Sequence, residues 1–247
     1  MTKIKLLFSE FSILMRNIPA PLSAFLAVSV VAMNLLANKS IDTGLDWLAL
    51  DCGILFSWVL FLVMDIITRR YGVKAANMLS VGALLVNLLV AILLFAISFI
   101  PGTWSQSYVE GAEATINGAL DATIASTWYV ILGSSVAFIT SAILNNVLHS
   151  LIGKAFKRHD FVAFSVSSYA STFVAQFVDN LLFALIVSLR FFGWSMTQCL
   201  TCAVTGALAE LLCEVIFSPI GYRVVKRMEE QNIGKEYLDY IQEEVAA

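Results

Sequence analysis

The stretch "FVAQFVDNLLFALIVSLRFFGW", Phe173 to Trp194, is apolar enough for the middle and end of a membrane helix, yet Gln176, Asp179 and Asn180 lie inside it. An Asp at the centre of a membrane helix costs about 2.5 to 3.5 kcal/mol if it faces lipid. Glu210 and Glu214 pose the same problem in a second apolar stretch, and the three acids together would forfeit about 8 to 10 kcal/mol. They must therefore face protein or water.

The rest of the chain sets the frame. Of its 247 residues 59% are hydrophobic and 13% charged, with a mean hydropathy of +0.83. A soluble domain holds about 45 to 50% apolar and about 25% charged residues, so this composition describes an integral membrane protein. A net charge of −3 gives no argument for nucleic acid. About 20 apolar residues span the hydrocarbon core as a helix, which predicts six spans. They run over Ala20–Ala37, Leu48–Ile67, Ala75–Ile100, Thr127–Ile152, Phe164–Leu189 and Gln198–Tyr222. The expected fold is an all-α integral membrane bundle of six transmembrane helices. No stretch reads as a linker between domains, and the sequence holds no internal repeat.

Basic residues set the orientation, because loops rich in Lys and Arg stay on the cytoplasmic side. With both termini cytoplasmic, that side receives the Arg69-Arg70-Tyr71-Gly72-Val73-Lys74 turn, the Lys154, Lys157 and Arg158 turn, and both ends of the chain. Of fifteen Lys and Arg residues, only Lys39 and Arg190 fall outside, while Pro101–Ser126 is an acidic external loop.

The first 18 residues are no signal peptide, since Glu10 interrupts any apolar core and no small-residue cleavage site follows. Ile4, Leu7, Phe8, Phe11, Leu14, Met15 and Ile18 recur at helical spacing opposite Lys3, Lys5 and Arg16, which predicts a helix lying on the inner membrane surface. The expected organisation is this interfacial helix over 1–18, a transport domain over 19–224 and a charged cytoplasmic tail over 225–247.

Angular position sharpens the reading of the acids. At 100° per residue Ser165, Ser168, Thr172, Gln176 and Asp179 form one stripe of the fifth span, with Asn180 at its edge. Gly206, Glu210 and Glu214 share a face of the sixth; Ser134, Ser141, Asn145 and His149 share one on the fourth; Asn34 and Asn38 share one on the first. Small residues alone would be ordinary packing surfaces, but the carboxylates, amides and imidazole imply a polar cavity lined by the first, fourth, fifth and sixth spans. Intramembrane chemistry is the weakest use of it, because neither HExxH nor GxSxG occurs, so no enzyme is expected. Cys199 and Cys202 read as small packing residues, and neither a metal nor a cofactor is expected.

At these residues the chain resembles a known family. Asn34 to Lys39 ends the first span, Phe56 to Ala75 covers the second and its basic turn, Gly133 to Phe138 marks the fourth, Gln176-Phe177-Val178-Asp179 with Phe183 marks the fifth, and Ser218-Pro219 closes the sixth. In order and spacing this resembles the VUT family, the YhhQ-like queuosine precursor transporters, over roughly Val30 to Val225. The resemblance implies a multi-pass protein of a bacterial cell membrane that imports deazaguanine bases, such as queuine or its precursors. A guanine-like edge offers a ring N–H and an amino group that a carboxylate accepts together, while Gln or Asn serves the carbonyl.

Carried over residue by residue, Gln176 and Asp179 are substrate-binding candidates, with Asn180, Asn34, Asn38, Asn145 and Glu210 beside them and Trp58 and Phe183 as stacking faces. Each has a blander reading, as part of a helix-packing network or as an aromatic membrane anchor. Asp65, Arg69 and His149 are placed at the cytoplasmic mouth, where Asp65 and Arg69, four residues apart, are spaced for an ion pair. Glu210, Glu214 and Asp179 are the proton-coupling candidates; facilitated diffusion is equally compatible. The chain departs from the family pattern at Glu214, where Lys is expected, and at Asn145, where Asp is expected.

Two rival readings stand beside a carrier. In one the chain is the substrate-binding component of an energy-coupling-factor transporter, docking coupling subunits through Ala20 and Ala24. The other is a membrane scaffold whose polar stripes only hold helices together. The partners considered are a small-molecule substrate, the lipid bilayer, a second copy of the chain and, in the first rival reading, energy-coupling-factor subunits.

Overall fold

The computed structural model describes residues 3–41, 43–48, 50–104, 113–125, 128–156, 160–191 and 193–246. Lys157 and Arg158 of the second basic turn lie outside the described residues. Helix α1, Lys3–Asn17, turns by 109° into α2, Ala20–Leu36. Pro19 and Pro21 fall at this corner, where a missing backbone N–H is tolerated. A short antiparallel ladder follows, β1 (Ser40–Ile41) with β2 (Leu50–Asp51). Then come α3 (Ile54–Tyr71) and α4 (Val73–Ile97), separated by Gly72 at φ 89°, a left-handed conformation that glycine adopts without strain.

The second half contains α5 (Glu113–Ala125), α6 (Trp128–Lys154) and α7 (Phe161–Phe183), the last extended by a π-helical turn, Ala184–Ser188, and by α8 (Leu189–Phe191). The chain ends in α9 (Met196–Glu230) and α10 (Lys235–Ala246). Helix α7 starts on an Asp160 cap whose carboxylate accepts from the Ala163 amide, and α9 starts on a Ser195–Gln198 capping box.

Four helical segments are each long and apolar enough to cross a membrane: Val73–Ile97, Leu132–Lys154, Phe161–Ser188 and Met196–Glu230. The bent pair α1 and α2 makes a fifth if counted as one span. Alone, α2 has 17 residues, and α3 carries Asp65, Arg69 and Arg70 within 18. The protein is thus an α-helical, multi-pass membrane protein. Its periphery is apolar: Leu85, Leu89 and Ile92 of α4 and Leu212 and Ile216 of α9 are all exposed. At its centre α7 packs between α6 and α9, and α3 contacts α2, α4, α6 and α9.

Several elements differ from the sequence expectation. The helix expected as the second span, α3, begins at Ile54 and not Leu48, because Asp51 and Gly53 build a turn before it. The acidic loop contains α5, whose Asn117 and Asp121 hold Trp104. The sixth helix does not close at Ser218-Pro219. Pro219 has no N–H for the Val215 carbonyl, and the Ser218 hydroxyl donates to that carbonyl at 3.3 Å instead, so α9 continues to Glu230.

The terminal segments dock on each other. Buried Glu10 of α1 pairs with Lys74 at 2.8 Å and accepts from Tyr237 of α10. Arg70 donates to the Ile233 carbonyl, and Tyr71 donates to the Asn17 carbonyl at 2.7 Å. Leu6, Leu7 and Phe8 of α1 remain exposed, an apolar surface suited to a membrane interface.

Candidate functional site

Asp179 and Glu210 line one small internal cavity together. Helix α7 contributes Asp179, Asn180 and Phe183, α9 contributes Glu210, α2 contributes Asn34, and α6 contributes Ser134 and Ala137. All four spans anticipated from their polar stripes are represented. A fifth wall comes from Asp51 and from Ile54 and Ser57 at the start of α3, which the sequence reading did not single out. The usable signal there was Asp51 two residues before Gly53, an Asx turn ahead of an apolar run.

Hydrogen bonds cross the cavity walls. Ser141 donates to Asp179 at 2.6 Å, Ser57 donates to Glu210, and Ser134 donates to Asn34. Asp51 accepts from the Gly53 amide at 2.7 Å. Asp51 lies outside the helical spans, and burial raises its carboxyl to about 6, an effect that the Gly53 hydrogen bond partly offsets.

The site also holds polar atoms without partners. Glu210 Oε2 and Asn180 Nδ2 are buried and lack a well-formed hydrogen bond, the Asn180 amide standing beside the Glu210 carboxyl, and Gln176, fully buried one turn away on α7 and outside the cavity lining, leaves both amide atoms unpaired. A buried polar atom left unpaired costs about 1 to 3 kcal/mol, so such a concentration marks a place where a ligand or water completes the bonding. Gly206 lets α9 approach Asn180, since a Cβ there would stand 2.6 Å from Asn180 Nδ2. The cavity volume is about 30 Å³. That admits a water but no heterocyclic base, so loading requires its walls to separate.

Other anticipated residues lie elsewhere. Trp58 does not line the cavity; its ring stacks on Phe217 at 4.3 Å, 15° from parallel. Asn38 donates to the Asn34 carbonyl at the end of α2. Asn145 belongs to a second polar cluster, where it donates to Asp65 at 2.7 Å. In that cluster Ser168 touches both Asp65 and Glu214, and His149 Nδ1 lies 3.1 Å from Asp65. Asp65 is turned to α6 and α7, away from its own helix, and makes no ion pair with Arg69, whose guanidinium lies against Gly153. Neutral donors at close range and full burial favour this rotamer over the i, i+4 pair expected from spacing.

An apolar helical bundle whose buried carboxyls and amides gather at a small polar cavity defines a polytopic membrane protein with a polar interior. A family model described as putative vitamin uptake transporter matches residues 51–224, and the chain belongs to that family. The match confirms the family anticipated from the sequence, while the first-span residues Asn34 to Lys39 fall outside it. No curated protein and no solved structure shows significant similarity.

Proposed function

We propose that the protein imports a deazaguanine base of the queuine type through the cavity between α2, α3, α6, α7 and α9. The observation that carries this reading is the convergence of Asp179 and Glu210 from different helices beside the Asn180 amide. A carboxylate takes the ring N–H and amino group of a guanine-like edge, an amide N–H meets its carbonyl, and Phe183 offers a face for the flat ring. Gln176, one turn along α7 from Asp179, supplies a second amide once the walls part. Asn34 and Ser57 position their partners across the cavity. In this reading the protein crosses a bacterial cell membrane six times with both termini cytoplasmic, as the distribution of Lys and Arg supports.

The test is queuosine in transfer RNA of a cell unable to make deazaguanines, supplied with queuine and expressing this chain. Restored modification, abolished by Gln176→Ala or Asp179→Ala at equal expression, is the expected result. No restoration by the wild-type chain at normal membrane levels would reject the substrate. A second reading, a substrate-binding component of an energy-coupling-factor transporter, is favoured by the exposure of Ala20 and Ala24 on α2. It predicts co-purification with a coupling protein and ATPases, and uptake that fails without them.

A further inference from the structure

We propose that Asp65, Glu214 and His149, held together by Ser168 and Asn145, form a proton-binding site distinct from the substrate cavity, and that its proton is the ion coupled to transport. The proton site is read from the structure alone; its coupling role rests on the transporter reading above.

Hydrogen counting carries the argument. The Ser168 hydroxyl contacts Asp65 Oδ2 and Glu214 Oε1, yet a hydroxyl has one hydrogen and an ionised carboxylate has none to give. The second contact is completed only by a carboxylic acid. Asp65 already accepts from Asn145 and faces His149 Nδ1, which makes it the ionised member and assigns the hydrogen to Glu214. The chain of donors then runs from Glu214 through Ser168 to Asp65.

The surroundings supply no fixed counter-charge. Asp65 and Glu214 are wholly buried, His149 is 1% exposed, and among the described residues neither acid pairs with Lys or Arg. On α3 the next charged group is Arg69, against Gly153 of α6; α7 offers Ser168 to the two acids and the edge of Phe164 to His149; α4 contributes Asn77 and Ser80, both bonded to Asn146. On α9 the neighbours of Glu214 are Glu210 one turn before it, itself bonded to Ser57, Cys213, and Ser218, which is bonded to Tyr169. Each buried ion without a partner costs several kcal/mol, which a bound proton removes. His149 Nδ1 and Nε2, Asn145 Oδ1 and Glu214 Oε2 are buried there without hydrogen-bond partners, so the imidazole and the carboxyl are free to pass a proton as the helices shift, while the Asn145 amide can only accept a hydrogen bond. Among the described residues no group of three His, Cys, Asp or Glu side chains is placed to hold a metal ion.

The two sites share their framework. Glu214 follows Glu210 by one turn of α9, and Asn145 follows Ser141, the donor to Asp179, by one turn of α6. A displacement of either helix on substrate entry therefore moves both.

Two measurements test the proposal on full-length protein in lipid vesicles. The infrared difference between wild type and Glu214→Gln should contain a carboxylic-acid band, protected from deuterium exchange at neutral pH, that shifts in Asp65→Asn because the Ser168 bridge loses its ionised end. A difference spectrum without that band, or a band that Asp65→Asn leaves unmoved, would overturn the site. In the second, queuine accumulation should rise about tenfold per pH unit of imposed gradient in the wild type. Glu214→Gln should exchange queuine across the membrane yet ignore the gradient. A wild type indifferent to the pH gradient, or driven by a sodium gradient instead, would overturn the coupling role. A wild type that does not carry queuine at all would sink the substrate reading, and the infrared result would still decide the proton site. Ser168→Ala, which leaves both carboxyls in place, guards against misfolding: it should shift the band without abolishing the fold.

Discussion

Asp179 of α7 accepts a hydrogen bond from Ser141 of α6 at 2.6 Å while its carboxyl borders the same cavity as Glu210 of α9. One side chain therefore joins helix packing to the solute site, and the two roles separate by substitution. Asp179→Asn keeps an oxygen for Ser141 but loses the charge, so it should fold normally and bind substrate about 10- to 100-fold more weakly, the worth of a charge-assisted hydrogen bond. Ser141→Ala should instead lower thermal stability by about 1 to 3 kcal/mol by leaving the Asp179 oxygen without its donor. Thermal melts and uptake assays on both variants check the division.

Gly206 is where α9 makes room for Asn180. Gly206→Ala puts a methyl 2.6 Å from the amide nitrogen and should turn Asn180 out of the site, reducing uptake with little loss of fold. Adding Asn180→Ala relieves the clash and should restore any lost stability while leaving uptake low. Melting temperatures with parallel uptake measurements distinguish the two effects.

Asp51 gives the site a pH response outside the helical spans. Burial lifts its folded-state value from 3.8 to about 6, so the folded protein holds this proton more tightly than the unfolded chain. Its contribution to stability is therefore full below about pH 4 and is lost as pH rises through about 6. Asp51→Asn should remove that part of the pH dependence, giving a stability profile flatter than wild type between pH 4 and 6 in detergent melts.

Trp58 packs on Phe217, away from the cavity. Trp58→Leu should lower stability by about 0.5 to 1.5 kcal/mol, the share of a stacked pair beyond area burial, and leave the substrate KM unchanged. A raised KM at normal stability would return Trp58 to the binding site.

Much of this was legible from periodicity. The stripes of α6, α7 and α9 place Ser134, Asp179 and Glu210 toward one interior because a charged group in a lipid-facing position is expensive, a constraint written directly into the sequence. The start of α3 was legible only through the Asp51 and Gly53 turn signal, which the apolar residues on either side of it mask, and their turn bonding shows that the helix begins at Ile54. The partition of polar residues into two clusters was also invisible, since it depends on which helices are neighbours. Spacing suggested Asp65 with Arg69, whereas tertiary packing supplies Asn145, Ser168 and His149 at shorter range. Ser218-Pro219 closes the span in the family pattern, but the Ser218 hydroxyl donates to the Val215 carbonyl that Pro219 cannot reach, a substitution that acts only within the folded turn.

The central claim, that the Asp179 and Glu210 cavity holds the substrate, is tested most directly by equilibrium binding of queuine to the purified protein, wild type against Asp179→Asn and Glu210→Gln. Saturable binding by the wild type that weakens at least about tenfold in both correctly folded variants is the predicted result. Wild-type binding left unchanged by both substitutions, or no binding by the folded wild type, would contradict it.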